Sequence, residues 1–596
     1  MKNITIKHLI LTLMCCLPFA QSGFSQSLMY EIPLNEQVPV SNQIVEGKVI
    51  SKTSYWNETR TNIYTINTVE VYKVFKGAEL TTIEIVTPGG FVGSQGEKIT
   101  PSLDLQVNNK GIFLLIPSTT NFNSTEVSSR DKYKAYSSAQ GFYKYNLSDD
   151  LAVNPFSVRP NITSTLYNEI KAITGVNPIE VKEFDVDAVI SNNTALRDSN
   201  VITSFSPTSI SAGTASVLTI TGTLFGATPG TVSFRDGNDG GATYYDALPS
   251  QIISWSDNEI QVEVPGRAGT GTVRVTSSIG IPSISVSSLT IPYAIINYNT
   301  DFVTGTEMAY QAPHVDDDGN GGYTWDMYIN FFTDSDANES FTRAFDSWRC
   351  ETGIQWEISP TFTTVNNTAS DGTNIIRFAP QNEMPGAGVL AFCSSYPSGC
   401  GINGNTAAQL YINELDITFN ETINWEYGPN LPTGAEFDFE SVAVHELGHG
   451  HQLAHVINPS AIMHWSIGPG QNNRILSASD IDAGAFTQNV STTTSSCGIG
   501  SSTIHSCSLG INDDHLANTI GIYPNPNNGT FTLTKDASLN LEKAVIRDIR
   551  GREISTIDLS NMVTSQVIEL NNTSKGVYLI TIQSAEGSAT KKIIIE

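Results

Sequence analysis

The chain contains the stretch Ser441-Val-Ala-Val-His-Glu-Leu-Gly-His-Gly-His-Gln-Leu-Ala-His455, which holds four of its nine histidines. His445 and His449 are four residues apart, so on a helix they share one face and can hold a single metal ion. Neutral imidazole nitrogens suit Zn²⁺ as ligands. Glu446 is adjacent and would face a water molecule at the metal rather than the metal itself. Asp438 precedes the stretch as the predicted N-cap of this helix.

Two residues further along the chain extend this pattern. His455 lies six residues after His449, and Met463 lies eight residues after His455. With these positions the region resembles the metzincin metallopeptidases, whose motif is HExxHxxGxxH followed by a methionine turn. The resemblance implies that His445, His449 and His455 bind one zinc ion. It also implies that Glu446 is the general base and that Met463 lies beneath the metal as a structural residue.

One position departs from the family motif, because Gln452 stands where the family has glycine. A glycine takes a positive φ at this turn without strain, whereas another residue costs on the order of 1 kcal/mol there. The departure therefore bears on whether His455 reaches the metal. Asp480 and Asp482 are the alternative third ligands. His451 is predicted to point away from the metal, toward an outer shell or solvent.

The sequence before the motif narrows the resemblance to the matrixin type. The i, i+3, i+4, i+7 spacing of a helix with one apolar face is present at Phe341, Ala344, Phe345 and Trp348. Strand-like segments follow at 352–358 and 374–378, in an order similar to that of matrixin catalytic domains. Residues 476–484 resemble the closing helix of those domains. We therefore expect an α+β, metzincin-like catalytic domain over residues 305–487.

This resemblance implies a secreted zinc-dependent endopeptidase that hydrolyses peptide bonds by a zinc-bound water activated by Glu446. Residues 388–392 resemble the edge strand on which matrixins bind extended substrate, so a protein or peptide substrate would add as a β-strand. The alternative is a catalytically silent surface adhesin or binding protein that retains the protease fold.

The sequence gives little support for metal sites beyond the three histidines. Matrixins usually hold a second, structural zinc through additional histidines, and none occurs between His314 and His445, so we expect one zinc ion. The segment Asp316-Asp-Asp-Gly-Asn320 resembles half of a calcium loop, but the bidentate Glu at loop position 12 is missing. Ca²⁺ and a simple acidic turn stay open as alternatives there. Trp465 occupies the place of a metal-touching tyrosine in astacin-like enzymes, and an indole cannot ligate.

Residues 1–25 have the features of a signal peptide. Lys2 and Lys7 precede an apolar run at 9–19 that is too short for a membrane anchor. Cys15 and Cys16 suggest a lipoprotein as the weaker alternative, because Met14 stands where a small residue should precede the lipidated cysteine. No other segment is predicted to span a membrane as a helix.

Residues 26–185 are predicted to form an all-β N-terminal domain, a candidate pro-region, because short β-branched segments alternate there with turn signals. Matrixin propeptides often silence the enzyme with a cysteine on the zinc, but the chain has no cysteine from 26 to 349. We therefore expect that this domain either is not inhibitory or blocks the cleft by another group. Residues 186–200 are predicted to be a linker.

Residues 201–293 contain short strands at the spacing of a β-sandwich. Thr-Gly-x-x-Phe-Gly at 221–226 and the Val-Pro at 264–265 resemble an IPT/TIG domain, an immunoglobulin-like module. Such modules usually act as spacers or bind ligands. Glycan binding here is a third functional alternative, with Trp255 and Tyr244-Tyr245 as candidate aromatic contacts.

Residues 518–596 carry Tyr-Pro-Asn-Pro at 523–526, Gly-Val-Tyr-Leu at 576–579 and Lys-Lys-Ile at 591–593. Together these resemble a type A C-terminal sorting domain of the type IX secretion system, a β-sandwich family confined to Bacteroidota. The resemblance implies the type IX machinery as a partner and a secreted or cell-surface location, reached through the outer membrane. Residues 488–517, rich in Ser, Thr and Gly, are predicted to be a loose linker.

Cysteine spacing suggests two short-range disulfides, Cys393 with Cys400 and Cys497 with Cys507, which leaves Cys350 over. A pairing of Cys350 with Cys393 is the alternative. Lys and Arg total 32 against 59 Asp and Glu, for a formal net charge of -27. This acidic excess argues against nucleic acid or anionic membrane as a partner. Separately, we expect the protein to be a monomer.

Overall fold

The computed structural model describes residues 29–596 except 123–126, 197–200, 403, 405–406, 508–518, 536–540, 549, 551, 571–572 and 585–586. The chain divides into two compact units, Met1–His505 and Ser506–Glu596. Within the described ranges it is largely β, with several sheets and few helices, in agreement with the predicted multidomain fold class. No helix in these ranges is long and apolar enough to cross a bilayer. The predicted signal peptide and the alternative lipidation at Cys15 or Cys16 lie outside the described residues.

The N-terminal region, residues 29–196, contains eleven strands and three helices. The strands are β1 (Gln43–Trp56), β2 (Ile63–Lys76), β3 (Thr82–Pro88), β4 (Gly90–Val92), β5 (Gln95–Thr100), β6 (Lys110–Pro117), β7 (Lys132–Ala135), β8 (Phe142–Asn146), β9 (Leu151–Asn154), β10 (Ser157–Pro160) and β11 (Ile179–Glu180). The helices are α1 (Leu34–Val40), α2 (Leu166–Thr174) and α3 (Val186–Leu196). The main sheet has the order β1-β2-β3-β7-β6-β8-β9-β10, with β11 beside β2 and a further pairing of β1 with β6.

This sheet is apolar on both faces, as strand β6 illustrates. Ile112 and Leu114 lie in one buried cluster, which also contains residues of α1 and α2. Phe113 and Leu115 lie in the other buried cluster. Successive side chains of a strand point to opposite faces, so a continuous apolar run such as this one predicts a strand buried on both sides.

The predicted linker at 186–200 is wrong for its first part, because helix α3 covers Val186–Leu196. Val186 is buried, and Ile190, one helical turn later, packs against the same cluster, which includes Leu166 and Ile170 of α2. The polar run Ser191-Asn-Asn-Thr194 in the second half of this segment is typical of a loop, which is why its composition suggested a linker.

The Ig-like module, residues 201–293, contains two four-stranded antiparallel sheets. Its strands are β12 (Val201–Ser206), β13 (Val217–Thr223), β14 (Thr231–Asp236), β15 (Tyr244–Asp246), β16 (Ile252–Trp255), β17 (Glu259–Glu263), β18 (Ala268–Thr276) and β19 (Pro282–Leu289). The orders are β12-β13-β17-β16 and β15-β14-β18-β19. Alternate residues of the two sheets, such as Ile220 of β13 and Phe234 of β14, are buried in one shared core, as sandwich packing requires.

The central region, residues 298–505, contains the strands β20 (Tyr298–Thr300), β21 (Met308–Tyr310), β22 (Tyr323–Met327), β23 (Trp356–Ile358), β24 (Asn374–Ala379), β25 (Ala391–Ile402), β26 (Ala407–Asn420), β27 (Trp425–Glu426) and β28 (Phe437–Asp438). Its helices are α4 (Ile329–Thr333), α5 (Ser335–Thr352), α6 (Phe439–Gly450) and α7 (Ala478–Thr493). The predicted apolar face of α5 is confirmed, since Phe341, Ala344, Phe345 and Trp348 are all buried. Gly353 ends α5 with a left-handed φ of 72°.

The sheet of the central region extends into the N-terminal region. Its order is β23-β22-β24-β26-β25-β5-β4, so that two strands from residues 90–100 complete one edge. β5 runs antiparallel to β25, with Thr100 opposite Cys393 and Lys98 opposite Ser395. The segment at 388–392, expected to begin a free edge strand, therefore leads into a strand that is already paired.

The C-terminal unit contains β29 (Gly521–Tyr523), β30 (Thr530–Thr534), β31 (Leu541–Asp548), β32 (Glu553–Asp558), β33 (Ser565–Glu569), β34 (Gly576–Ser584) and β35 (Gly587–Ile595). They form two sheets, β29-β30-β33 and β32-β31-β34-β35. Alternate residues such as Ile580 and Ile582 of β34 are buried in its own core, so this unit has the amphipathic strands of a β-sandwich.

The predicted disulfide pairs are wrong. Cys400 is bonded to Cys497, Cys393 is a buried free thiol, and Cys350 and Cys507 are each disulfide-bonded. Cys393 and Cys400 both lie on β25. Seven residues of extended strand span about 23 Å, far beyond the Cα separation of a disulfide.

The predicted loose linker at 488–517 is also wrong up to residue 505. Helix α7 runs to Thr493, and the chain after it is held by bridges from Ser501 to Val315 and from Ile504 to Ile354. Cys497 anchors it to the end of β25. This segment is held by backbone pairing and one disulfide rather than by a periodic set of apolar side chains. Its composition alone therefore suggested a linker.

Peptide mapping without reduction tests this arrangement. We expect a cross-linked pair of peptides that contain Cys400 and Cys497, and alkylation of Cys393 only after the protein is unfolded, because that thiol is 1% exposed. A peptide that joins Cys393 to Cys400 or to Cys350 would contradict the fold around β25.

Candidate metal centre

Helix α6 carries the histidine motif through the core of the central region. All of its residues are buried, including the polar Glu440 and Ser441 that precede the motif. Burial on every side is typical of a helix enclosed by its domain. The predicted N-cap is present: the Asp438 carboxylate accepts a hydrogen bond of 2.8 Å from the Ser441 N–H. Arg474 forms an ion pair with Asp438, so that the capping carboxylate is neutralised where it is buried.

Three histidine side chains meet at the C-terminal part of this helix. The Nε2 atoms of His445 and His449 are 3.0 Å apart, and those of His449 and His455 are 3.1 Å apart. His445 and His449 are brought together by the helical repeat. His455 approaches from the loop after the helix. Among the described residues, this is the one group of three or more potential ligands that could hold a metal ion.

The opposite ring nitrogen of each histidine faces an oxygen that can only accept a hydrogen bond. His445 Nδ1 lies 2.7 Å from the carbonyl oxygen of Ile462, and His449 Nδ1 lies 2.9 Å from that of Leu453. His455 Nδ1 lies 3.0 Å from Asn238 Oδ1. Each Nδ1 therefore carries the proton, and each Nε2 presents a lone pair to the centre of the group.

This donor set fits a zinc ion. Nitrogens on a tetrahedral Zn²⁺ with bonds of about 2.0–2.1 Å lie about 3.3 Å apart, close to the observed separations. Burial lowers the pKa of His449 to about 4, against an opposing hydrogen bond to Leu453. Burial and the neighbouring histidines lower the pKa values of His445 and His455 well below the usual range. The imidazoles are thus neutral, as metal ligands must be.

Glu446 lies beside the histidines and is fully buried. Neither carboxylate oxygen makes a hydrogen bond of normal geometry with a described protein atom. Burial raises the pKa of Glu446 well above its usual range, and the backbone N–H of Cys393 on β25 partly opposes that shift. An unpartnered buried carboxylate next to three ligand nitrogens is expected of a group that works on water or substrate.

Met463 lies against the helix at Gly448. A Cβ atom at Gly448 would be 2.3 Å from the Met463 sulfur, so the absence of a side chain allows this contact. Asp480 accepts hydrogen bonds from the backbone N–H groups of Ile462 and Met463 at 2.8 and 3.2 Å. Asp480 therefore holds the methionine turn and is not a third metal ligand. Asp482 is exposed and lies outside the metal-ligand group.

Gln452 takes the strained conformation that the motif comparison predicted, with φ of 70°. Its side chain compensates: Tyr298 donates to Gln452 Oε1 at 2.6 Å, and Gln452 Nε2 donates to the carbonyl oxygen of Gly450 at 3.1 Å. The turn is kept with a glutamine in place of glycine, and His455 reaches the other two histidines.

His451 does not face solvent, which corrects one of its two predicted environments. It is fully buried on the far side of α6, where its ring nitrogens lie 3.0 Å from Thr352 Oγ1 and 2.9 Å from Thr487 Oγ1. The side chain thus joins α5 to α7 through α6. The acidic segment at 316–320 is a closed turn, in which Asp316 and Asp318 accept hydrogen bonds from backbone N–H groups.

Sequence reasoning missed Asn238, Tyr298 and the role of Asp480. Asn238 precedes His455 by 217 residues, and Tyr298 precedes Gln452 by 154, so no spacing rule could connect them. A capping signal was available for Asp480, since Ser477 and Asp480 form a capping box at the start of α7.

Three family models match this chain. Residues 320–485 match Matrixin, 201–293 match the IPT/TIG domain, and 521–596 match the secretion system C-terminal sorting domain. All three resemblances predicted from motifs are confirmed. The Matrixin match supports a metallopeptidase, and the sorting domain indicates type IX secretion to the cell surface or beyond.

Similarity to whole proteins is slight. No curated protein matches the chain. Among solved structures, one crystallised with xylogluco-oligosaccharide is 9% identical over 66% of this chain and 60% of that chain, with a TM-score of 0.13. SGBP-B from a complex xyloglucan utilization locus in Bacteroides uniformis is 10% identical over 43% and 53%, with a TM-score of 0.12. The gamma-CGTase of Alkalophilic bacillus clarkii is 12% identical over 63% and 42%, also at 0.12.

The chain thus spans 60%, 53% and 42% of the lengths of these three structures. Scores of 0.12 and 0.13 are too low to bear on the fold or the function of this protein.

The contact between Gly448 and Met463 can be tested with two alanine substitutions on one helix. Gly448→Ala places Cβ 2.3 Å from the Met463 sulfur, so we expect a loss of about 1–3 kcal/mol in stability from overpacking. The measurement is thermal or denaturant unfolding of the full chain.

Gly450→Ala is the matched control, because its Cβ would meet Trp356 at an ordinary 3.5 Å. It should be neutral or gain up to about 1 kcal/mol from helix propensity. Equal effects of the two substitutions would be inconsistent with this packing of the methionine turn.

Proposed function

We propose that this protein is a secreted zinc-dependent endopeptidase of metzincin type, with His445, His449 and His455 as the ligands of one zinc ion. The observation that carries the proposal is the convergence of three Nε2 lone pairs at 3.0 and 3.1 Å, each enforced by an acceptor on the opposite ring nitrogen. Met463 lies beneath the metal in this proposal and has a structural role.

In this proposal Glu446 is the catalytic residue. Zn²⁺, when bound, supplies a Lewis acid and lowers the pKa of its water to about 7. A Glu446 carboxylate oxygen takes a proton from the water that attacks the peptide carbonyl, and then passes that proton to the leaving amine nitrogen. Neither Oε atom is held by a hydrogen bond of normal geometry from the described residues, which supports a part for both atoms in this exchange.

A small cavity lies beside His445. It has a volume of about 20 Å³, comparable to the space taken by one water molecule. Its walls include Ser441, Ile462, Ser466 and Asn473.

The competing function is a silent adhesin or binding protein that retains the protease fold. That function predicts loss of a ligand or of the general base. Here all three histidines and Glu446 are present, and the one departure, Gln452, is compensated by hydrogen bonds. The retained set favours the peptidase.

The N-terminal region is proposed to be an inhibitory pro-region that works by strand pairing. β5 pairs with residues 393–398 of the edge strand, and Tyr30 N–H donates to the carbonyl oxygen of Gly388 at 2.6 Å. Ala387 N–H donates to the carbonyl oxygen of Tyr136 at 3.1 Å. A strand edge offers one row of backbone groups and can pair with one strand at a time. Substrate therefore cannot add to this edge until the N-terminal region leaves it.

An apolar cluster joins the N-terminal region to the edge strand. Met29, Ile99 and Phe156 come from the N-terminal region, and Met384, Val389 and Phe392 come from the central region. Burial of such side chains contributes roughly 1.5–3 kcal/mol each. This cluster is the point at which docking can be weakened without a change in the metal ligands.

Ile99→Asp should therefore activate the full-length protein. Ile99 is 9% exposed in the cluster, and a carboxylate there opposes docking. We expect cleavage of a denatured protein substrate to rise at least about tenfold, since 1.4 kcal/mol of lost docking energy corresponds to that factor.

Val107→Asp is the control, because Val107 is also in the N-terminal region but is 47% exposed. It should leave cleavage unchanged. If both variants retain the wild type's zinc content and cleave at the wild-type rate, the N-terminal region is not inhibitory.

Glu446→Ala tests the proposed peptidase itself, in the wild-type and Ile99→Asp backgrounds. We expect bound zinc near one per chain with and without this substitution, and cleavage reduced by about 10²–10⁴ on loss of the general base. His449→Ala should lose the zinc. Bound zinc without cleavage in either background would favour the silent binding protein.

A further inference from the structure

The third histidine, His455, is oriented by a residue that lies outside the central region. His445 and His449 have their Nδ1 atoms tied to backbone carbonyl oxygens of Ile462 and Leu453, which belong to the same region. His455 Nδ1 instead faces Asn238 Oδ1 at 3.0 Å. Asn238 lies in the Ig-like module, on the short helical turn Gly237–Asp239 that follows β14.

The chemistry of this contact favours metal binding. An amide oxygen can only accept, so it fixes the proton on His455 Nδ1 and leaves the Nε2 lone pair toward the other histidines. With the amide turned around, its N–H₂ group would donate to Nδ1 and shift the ring proton to Nε2, which would remove the ligand. Partners behind metal-bound histidines fix both tautomer and ring orientation in this way.

The turn that carries Asn238 is itself held rigidly. Asp236 accepts a hydrogen bond from the Asn238 backbone N–H at 3.0 Å. Arg267 binds both carboxylate oxygens of Asp236, at 2.8 and 2.9 Å, and Asp236 is fully buried. A bidentate pair of this kind has a defined geometry. Lys144 of the N-terminal region also lies 3.3 Å from Asp236 Oδ2. The shorter, bidentate support of the turn that carries Asn238 comes from Arg267, within the Ig-like module.

Close backbone approach brings the turn against the loop at 451–455, which follows α6 and carries His455 (the third-ligand loop). A Cβ at Gly237 would lie 2.8 Å from the carbonyl oxygen of His455, and a Cβ at Gly240 would lie 2.9 Å from the Trp465 indole. Gly240 also has φ of 66°, which favours glycine. Two glycines thus allow the module to reach the metal site.

The segment that leaves the Ig-like module holds the other end of the same loop. Ala454 N–H donates to the carbonyl oxygen of Ala294 at 2.8 Å, and Ile296 N–H donates to that of Gln452 at 2.9 Å. Together with Tyr298, which bonds the Gln452 side chain, these contacts align the loop from its start to His455.

We infer that Asn238 is a positioning residue for the metal site and that the Ig-like module completes the outer shell of the third ligand. This inference rests on the proposed zinc function. The Ig-like module was expected to be a spacer or a glycan binder. In this inference it instead supports a metal ligand. The module and the central region then form one working unit around His455.

The test measures zinc affinity of the full-length chain, by competition between the metal-free protein and a chromophoric chelator. Asn238→Ala and Asn238→Leu remove the acceptor and should weaken zinc binding by about 10–100-fold, the range found for partners behind metal-bound histidines. Asn238→Asp keeps an acceptor and should stay within about threefold of the wild type. Asn258→Ala is the control, since Asn258 lies on an exposed turn of the same module and should have no effect.

The outcomes separate the two proposals. If the wild type binds no zinc, or binds it equally well after His449→Ala, the zinc function fails. If the wild type binds zinc through His449 and a folded Asn238→Ala or Asn238→Leu variant binds it as tightly, the positioning role is overturned while the zinc function stands. Resistance to limited proteolysis identifies which variant is folded, and loss of affinity in Asn238→Asp equal to that in Asn238→Ala would also overturn the positioning role.

Discussion

Three neutral imidazole nitrogens face one another at 3.0 and 3.1 Å in a site where every ring is buried. Lone pairs at this distance repel unless a cation lies among them, so the surrounding structure must hold the rings in place. It does so with one fixed acceptor behind each ring: two backbone carbonyl oxygens and the amide oxygen of Asn238. The methionine turn, the third-ligand loop and the Ig-like module are each placed by this requirement.

The local parts of the site could be predicted from the sequence because helical geometry converts spacing directly into proximity. His445 and His449 follow from the four-residue repeat, the cap at Asp438 from its side chain, and the buried face of α5 from its apolar periodicity. The strain at Gln452 was also predictable, since the motif requires a positive φ there. The contact that relieves this strain could not be predicted, because the hydroxyl of Tyr298 comes from a distant part of the chain.

The features that could not be predicted are those formed between segments far apart in sequence. The pairing of β5 with β25 and the bond from Cys400 to Cys497 depend on tertiary arrangement. Strand patterns indicate which face is buried but do not identify the partner strand. Composition was misleading for residues 494–505, where Ser, Thr and Gly suggested a loose linker. The backbone groups of this segment form β-bridges. Such bridges do not require an apolar side-chain pattern, so the sequence does not indicate them.

In the two proposals, the N-terminal region blocks the substrate edge and the Ig-like module supports the third ligand. The charged residues between these two regions bear on whether one role can end while the other continues. Arg267 pairs with Asp236 through two short bonds, but lies 3.8 Å from Asp104 of the N-terminal region, a carboxylate that is one-third exposed. The bidentate, buried pair is the stronger of the two interactions. Departure of the N-terminal region would remove Asp104 from Arg267 and Lys144 from Asp236. It would leave the bidentate pair of Arg267 with Asp236, which supports Asn238. The proposed release of the substrate edge is therefore compatible with retention of the bidentate pair that supports Asn238.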